Sequence, residues 1–350
     1  MSEMQRVYLD HNATTPLRPE ARAAMGDAMD VVGNPSSVHG EGRAAKGLIE
    51  KARAQVARAI KAEGAEIVFT ASATEAAAMV LRDRDLHAAE IEHDAVRVWT
   101  SNDLAVDGQG IVTVVEPGQS TLQLANSETG VMQTLPEGLA LADMTQAFGK
   151  VEVDFLRSGA VMGIVSAHKL GGPKGVGALI LRRGIDLDPL LKGGGQEMGR
   201  RAGTENVIGI AGFGAAAEAA AKDVAMGRWK DVAKMRDLLE STIAEVANET
   251  IFVGSGAERL PNTACFAVPG WKGETQVMQM DLAGFAISAG SACSSGKVRA
   301  SQVLQACGYD EVTASSAIRV SLGLETTRDD VTRFAEAWGV AYERFCAKAA

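Results

Sequence analysis

The chain has 350 residues, 46% of them hydrophobic, and a formal net charge of −9. That length allows two domains and a large core, and the acidic balance argues against general nucleic-acid binding or an anionic membrane surface. No apolar run approaches membrane-spanning length, residues 1–6 lack a signal-peptide core, and Cys265, Cys293, Cys307 and Cys346 are too scattered for a disulfide framework or a zinc site. A cytoplasmic α/β protein with reduced thiols is the expectation.

Residues 8–16 read as a short extended segment running into a turn, followed by a helix over 19–29. A polar loop at 33–40 precedes a long amphipathic helix over about 42–60. From 67 to 181 short apolar runs alternate with polar or helical segments, the pattern of a largely parallel sheet covered by helices. An Ala-rich helix over 208–247 reads as a spacer. Residues 251–253, 263–268 and 286–288 read as strands of a smaller α/β domain. A short helical turn at 311–315 and a closing helix over 328–347 complete the chain.

The most informative stretch is Ser166-Ala167-His168-Lys169-Leu170-Gly171-Gly172-Pro173-Lys174-Gly175, a glycine-rich turn between two apolar strands. A lysine held there can lose its charge to desolvation and act as a nucleophilic amine, the requirement for a Schiff base with pyridoxal phosphate. The motif alone is equally compatible with a surface hairpin bearing two solvated lysines. The run 139–143 ends in Asp143, which projects into the ligand crevice if the run is a strand, or caps a helix if Thr145 begins one. Residues 70–75 follow a strand and open a helix, a place for phosphate or simply a Ser72–Glu75 capping box. Gly193-Gly194-Gly195-Gln196-Glu197 and Arg201-Ala202-Gly203-Thr204-Glu205-Asn206 form a mobile glycine stretch followed by polar anchors. Cys293 sits in a Gly/Ser loop that cannot bury it well, which makes it a nucleophile candidate. Cys265, between apolar neighbours, reads as an inert core residue. Arg319 lies in an apolar strand-like segment, where a guanidinium takes a carboxylate partner.

In order and spacing the motifs YLDHNATTP, GNPSSVH, FTASATE, EHDAV, NSETG, DMTQAFGK, SAHKLGGPKG, GGGQE, RAGTEN, GSACSSG and IRVSLG resemble the pyridoxal phosphate-dependent cysteine desulfurases of the NifS/IscS-like group, within the class V aminotransferases. The resemblance runs nearly end to end. It implies the fold type I of pyridoxal phosphate enzymes. A large domain with a mostly parallel, seven-stranded-type sheet would span 14–235, and a smaller α/β domain of 1–13 and 236–350 would carry the cysteine loop. Lys169 would carry the cofactor, His93 stack on its ring, Asp143 pair with its pyridine nitrogen, and Gln146 contact its phenolic oxygen. Ala73 (through its backbone), Thr74, Ser166 and His168 would hold the phosphate, and Thr204 would reach the phosphate of the neighbouring subunit in a homodimer. Arg319 and Asn34 would bind the carboxylate of L-cysteine.

The reaction implied is removal of sulfur from L-cysteine. Lys169, once displaced, takes the Cα proton, the ring supported by Asp143 absorbs the charge, and thiolate Cys293 takes the sulfur and passes it to an acceptor such as an iron-sulfur scaffold. The chain departs from the family pattern at Ser127, normally Asn and a cofactor contact. It departs also at Ala71-Ser72 and Ala76-Ala77-Ala78, and in shorter segments on either side of His93. A selenocysteine lyase or an aminotransferase on the same fold, and a non-catalytic partner subunit, are the alternatives.

Overall fold

The computed structural model describes residues 6–290 and 300–349. Strand β1 (Val7–Tyr8) leads through a turn to helix α1 (Pro19–Met29), whose opening proline loses nothing, because the first N–H of a helix has no partner within it. Helix α2 (Gly40–Ala59) buries Ala45, Ile49, Ala52 and Val56, the three-and-four spacing of a helix covering a core on one face. Strand β2 (Glu66–Thr70), helix α3 (Ala73–Leu81) and the single turn α4 (Asp94–Arg97) follow. Strands β3 (Thr121–Gln123), β4 (Leu141–Asp143), β5 (Met162–Ser166) and β6 (Gly177–Leu181) complete a sheet in the order β2-β6-β5-β4-β3.

Strands β2, β3, β4 and β5 run in one direction and β6 against them. The seven-stranded form is met here by five strands and two single-residue bridges. His87 pairs with Ser120 beside β3 and also with Ser101. The reduced strands fall in the shortened part of the chain on either side of His93.

The helix expected over 208–247 is two helices, α5 (Val207–Ala225) and α6 (Arg228–Val246). They part at Gly227, whose φ of +72° no helix interior accommodates. Nor is α5 a spacer: Ile210, Phe213, Ala217 and Ala220 are buried, and the helix packs on α1 and α2.

The remaining elements are β7 (Ile251–Phe252), β8 (Thr263–Ala267), α7 (Gly273–Leu282), β9 (Phe285–Ala286), β10 (Ser288–Ala289), α8 (Gln302–Ala306), α9 (Glu311–Ser316), β11 (Ala317–Ser321) and α10 (Arg328–Ala349). The strand expected at 286–288 divides around Ile287. Strand β9 pairs in parallel with β1, and β10 joins an antiparallel sheet of order β10-β11-β8-β7. A second core gathers Val7 and Leu9 with Phe266, Ile318, Phe334 and Trp338. Trp338 is fully buried against Phe266, Trp271 and Tyr342, and its indole N–H donates to Gln276 Oε1 at 3.0 Å, so burial leaves its polar atom satisfied.

Candidate active site

Because β2 to β5 run in parallel, their carboxyl ends open on one edge of the sheet, where open α/β folds bind ligands. Three of these strands, β2, β4 and β5, each deliver a group there. After β2, Ser72 Oγ accepts from Glu75 N at 3.1 Å and Glu75 Oε2 accepts from Ala71 N at 2.7 Å, so the capping box is real. It leaves the amides of Ala73 and Thr74 in the first turn of the nine-residue α3, where the helix supplies no acceptor. A Cβ at Gly177 would come within 2.6 Å of Ser72 C and 2.8 Å of Ala73 N, so glycine lets this turn rest directly on β6 beside Ser166.

After β4, Asp143 is half-buried and accepts from Thr145 N at 2.9 Å. The segment that follows is a turn and not a helix, so the carboxylate closes a local loop at the sheet edge and is not a helix cap. Lys169 ends a short 3-10 turn after β5, on the strand paired with β4. Its Nζ donates to the backbone carbonyls of Asn12 (2.6 Å) and Ala13 (3.0 Å). His93 is exposed at the head of α4, held by Nδ1, which accepts from Ala95 N at 3.0 Å. His168 Nδ1 is 3.1 Å from Thr14 Oγ1, and burial, with Lys169 next in weight, pushes its pKa down to about 4.

Sequence reading missed the residue at the centre. Asn12, 1% exposed, accepts from Lys150 Nζ (2.9 Å) and Asn262 Nδ2 (3.1 Å), and donates to Ser127 O (3.1 Å) and Thr263 Oγ1 (2.8 Å). Its carbonyl receives Lys169 and also Gln146 Nε2 at 2.9 Å. Arg319, on β11, donates to Ser127 O at 3.0 Å and to Asp10 Oδ1 at 2.7 Å, so the carboxylate partner expected of a buried guanidinium is Asp10. Its Nε remains buried without a hydrogen-bond partner among the described residues, as does Glu128 Oε1. Lys150 and Glu92 were also passed over: the first stood inside a quoted motif, and the second adjoined His93. A cavity of about 480 Å³ reaches Lys169 past Tyr8, His11, Thr15 and Thr326, and neither Asp143, His93 nor Thr74 lines it.

Not every expected residue gathers here. Asn34 and Thr204 stand on exposed loops, and the Asn34 side chain accepts from nearby Ser36 N. Gln146 is buried, with both ends of its amide engaged by Asn12 and Lys150. Cys293 lies outside the described residues. Of the other cysteines, Cys265 is buried on β8 and Cys307 is buried after α8. Burial raises both thiols, the first well above its ordinary range and the second to about 11. Among the described residues no cluster of His, Cys, Asp or Glu is placed to hold a metal ion, and no helix is long and apolar enough to cross a membrane.

Pyridoxal phosphate asks for an amine, a carboxylate for its ring nitrogen, a flat group for its ring face and a site for a dianion. Lys169, Asp143 and the first turn of α3 stand at the carboxyl ends of β5, β4 and β2, and His93 adjoins Glu92, which accepts from Gln123 N at the end of β3. These would supply the four, and Arg319 Nε, buried without a partner among the described residues, would add a donor for a second anion. The fold and these groups define a pyridoxal phosphate-dependent enzyme.

The model of the class-V aminotransferase family matches residues 7–102 and 120–334, and the chain belongs to that family. The unmatched interval 103–119 lies between Ser101 and Ser120, the two bridge partners of His87. A cysteine desulfurase of Cereibacter sphaeroides is 39% identical over 95% of each chain. The cysteine desulfurase IscS of Dictyoglomus turgidum is 35% identical over 93% of this chain and 92% of its own. Among solved structures, a NifS-like protein from Rickettsia africae superposes with a TM-score of 0.88 at 30% identity, covering 97% of this chain and 100% of that one.

Proposed function

We infer that the chain is a cysteine desulfurase, which turns L-cysteine into L-alanine and keeps the sulfur as a persulfide on Cys293. The observation that carries this reading is one hydrogen-bonded network joining an amine for the cofactor to a guanidinium for an amino-acid carboxylate. Lys169 donates to Asn12, and Asn12 and Arg319 share the Ser127 carbonyl. Near-full-length identity of 35–39% to cysteine desulfurases supports it.

Pyridoxal phosphate, when bound, supplies an electron sink for charge at the substrate Cα. Asp143 would pair with its ring nitrogen, His93 would lie on its face, Gln146 and Ser127 would serve the phenolic side, and Ala73, Thr74, Ser166 and His168 would hold its phosphate. Lys169 would carry it and, with its nitrogen uncharged, would take the Cα proton. Arg319 would bind the substrate carboxylate, and Asn34, exposed here and engaged with Ser36 N, would join it. The thiolate of Cys293 attacks the substrate sulfur: an S–S bond forms, the C–S bond breaks, and the carbon takes up a proton and leaves as alanine. The raised thiols of Cys265 and Cys307 suit them poorly to this attack.

The reading extends to a cytoplasmic homodimer in which Thr204 completes the neighbour's phosphate site. It includes a large domain of 14–235, a small domain of 1–13 and 236–350, and a sulfur acceptor such as an iron-sulfur scaffold.

Alanine release and mass-detected persulfide, compared across wild type and each single Cys→Ser variant, test the chemistry. Cys293→Ser should bind cofactor and cysteine yet yield neither product. Near-normal alanine from that variant would overturn the desulfurase in favour of an aminotransferase-like or lyase reaction.

A further inference from the structure

The reaction above gives Glu128 nothing to do, yet its carboxyl is buried where the parts of the site meet. It is 4% exposed, in a turn fixed by Asn126, whose Oδ1 accepts from Glu128 N and Thr129 N at 2.9 Å each. Its neighbour Ser127 offers a carbonyl to Arg319 at 3.0 Å. The Glu128 carboxyl itself meets two residues that follow β10. A Cβ on Gly290 would lie 2.0 Å from Glu128 Oε1, 2.8 Å from its Cδ and 3.0 Å from Ser301 Cβ. The φ of Gly290 is outside the left-handed region, so this glycine serves the close approach and not a turn that only glycine can make. Ser301, 1% exposed, caps α8 with a hydroxyl that accepts from Leu304 N at 3.1 Å and bonds Glu128 in turn. Burial raises the Glu128 carboxyl above its usual range, while Ser301 and the charge of Arg319 pull it back. Cys293 lies between Gly290 and Ser301 in the chain, and Arg319 is the register partner of Ser288, shortly before Gly290.

We propose that Glu128 is a positioning residue for Cys293: by holding Gly290 and Ser301 against one carboxyl, it fixes where the chain between them leaves and rejoins the fold beside Arg319. A nucleophile must meet its target at roughly 3–3.5 Å, and a misplacement of about 1 Å can cost about a hundredfold in rate. The turn that carries Glu128 also holds Arg319, through Ser127 O. One fixed point thus sets both the guanidinium for the substrate carboxylate and the two ends of the segment that brings the thiolate.

The inference rests on Cys293 taking the sulfur, which alanine release by Cys293→Ser checks separately. The test is single-turnover persulfide formation on Cys293 in the cofactor-loaded enzyme, read by mass spectrometry, beside the cysteine concentration that half-saturates the change in cofactor absorbance. Glu128→Ala should slow persulfide formation about tenfold or more and leave that half-saturation unchanged. Glu128→Gln keeps the size and an acceptor for Ser301, and should stay near the wild-type rate. Gly290→Ala forces a methyl against Glu128 and should be slow. The double variant Gly290→Ala, Glu128→Ala should be no slower than Glu128→Ala alone, because the carboxyl in the way is gone. Tryptic cleavage after Lys297 and Arg299 in the cofactor-free protein, set against cleavage elsewhere in the chain, tests the anchoring without sulfur chemistry. It should be several-fold faster in Glu128→Ala than in Glu128→Gln. A wild-type rate of persulfide formation in Glu128→Ala, Glu128→Gln as slow as Glu128→Ala, losses that simply add in the double variant, or equal cleavage of the two Glu128 variants would overturn the proposal.

Discussion

Glu92 offers a test of the site's electrostatics that needs no substrate. It is 4% exposed; Oε1 accepts from Gln123 N at 2.6 Å, and Oε2 has no partner among the described residues. Gln123 is the register partner of Asp143 across β3 and β4, so the two carboxyls share one end of the sheet. Burial first, and then the charge of Asp143, pushes Glu92 from 4.5 up to about 8. Between those values the native protein keeps a proton that the unfolded chain has released, so stability falls as pH rises through this window. At about 1.4 kcal/mol per unit, the loss is on the order of 4 kcal/mol by pH 8. Glu92→Gln imitates the protonated acid, keeps the acceptor for Gln123, and cannot ionise in either state. Relative to wild type it should be near neutral at pH 5 and several kcal/mol more stable near pH 8.5. Urea denaturation of the cofactor-free proteins across that range measures the difference without contributions from cofactor release. A stability difference independent of pH would refute the protonated, buried Glu92.

Three further outcomes follow from the same geometry. Asn12→Ala removes four side-chain hydrogen bonds, one of them to an ammonium, and should cost roughly 3 kcal/mol in denaturant unfolding while speeding cofactor release. Glu197 is buried, bonds Arg53 through both oxygens at 2.8 and 2.9 Å, and holds Phe69 N at 2.8 Å, so Glu197→Ala should destabilise by about 3–5 kcal/mol. Adding Arg53→Met should recover much of that loss, because no unpaired guanidinium then remains. A thiol reagent on the native protein should modify Cys265 and Cys307 only on the timescale of unfolding, as mapped by mass spectrometry, because both are buried and raised.

What could be read from the sequence was local. The strands ending in Asp143 and Ser166, the turn carrying Lys169 and the Ser72–Glu75 capping box depend on neighbours within a few residues, and the structure has each of them. The long helix failed where one glycine outweighed Ala-rich propensity on both sides, and the strand at 286–288 failed because its two halves find different partners. Lys150 and Glu92 looked like ordinary charged residues; only folding shows that each is enclosed, and beside what.

Asn12 shows why the centre of the site lay beyond any pattern in the chain. Its side-chain partners Ser127, Lys150, Asn262 and Thr263 lie 115 to 251 positions away, and the Arg319–Asp10 pair spans 309. The segment around it belongs to both cores. Val7 and Leu9 pack with the second, and Leu9 and His11 exchange backbone hydrogen bonds with Ser321. Three residues after Asn12, Thr15 holds His168 O through its amide and Lys169 O through its hydroxyl. Asn12 is thus held from β8 and the residue before it, through Thr263 and Asn262, and from the segments after β4 and β5 through Gln146, Lys150 and Lys169. A shift of one core against the other would therefore act on both sets of hydrogen bonds at once, and Arg319 shares one acceptor with Asn12, the Ser127 carbonyl.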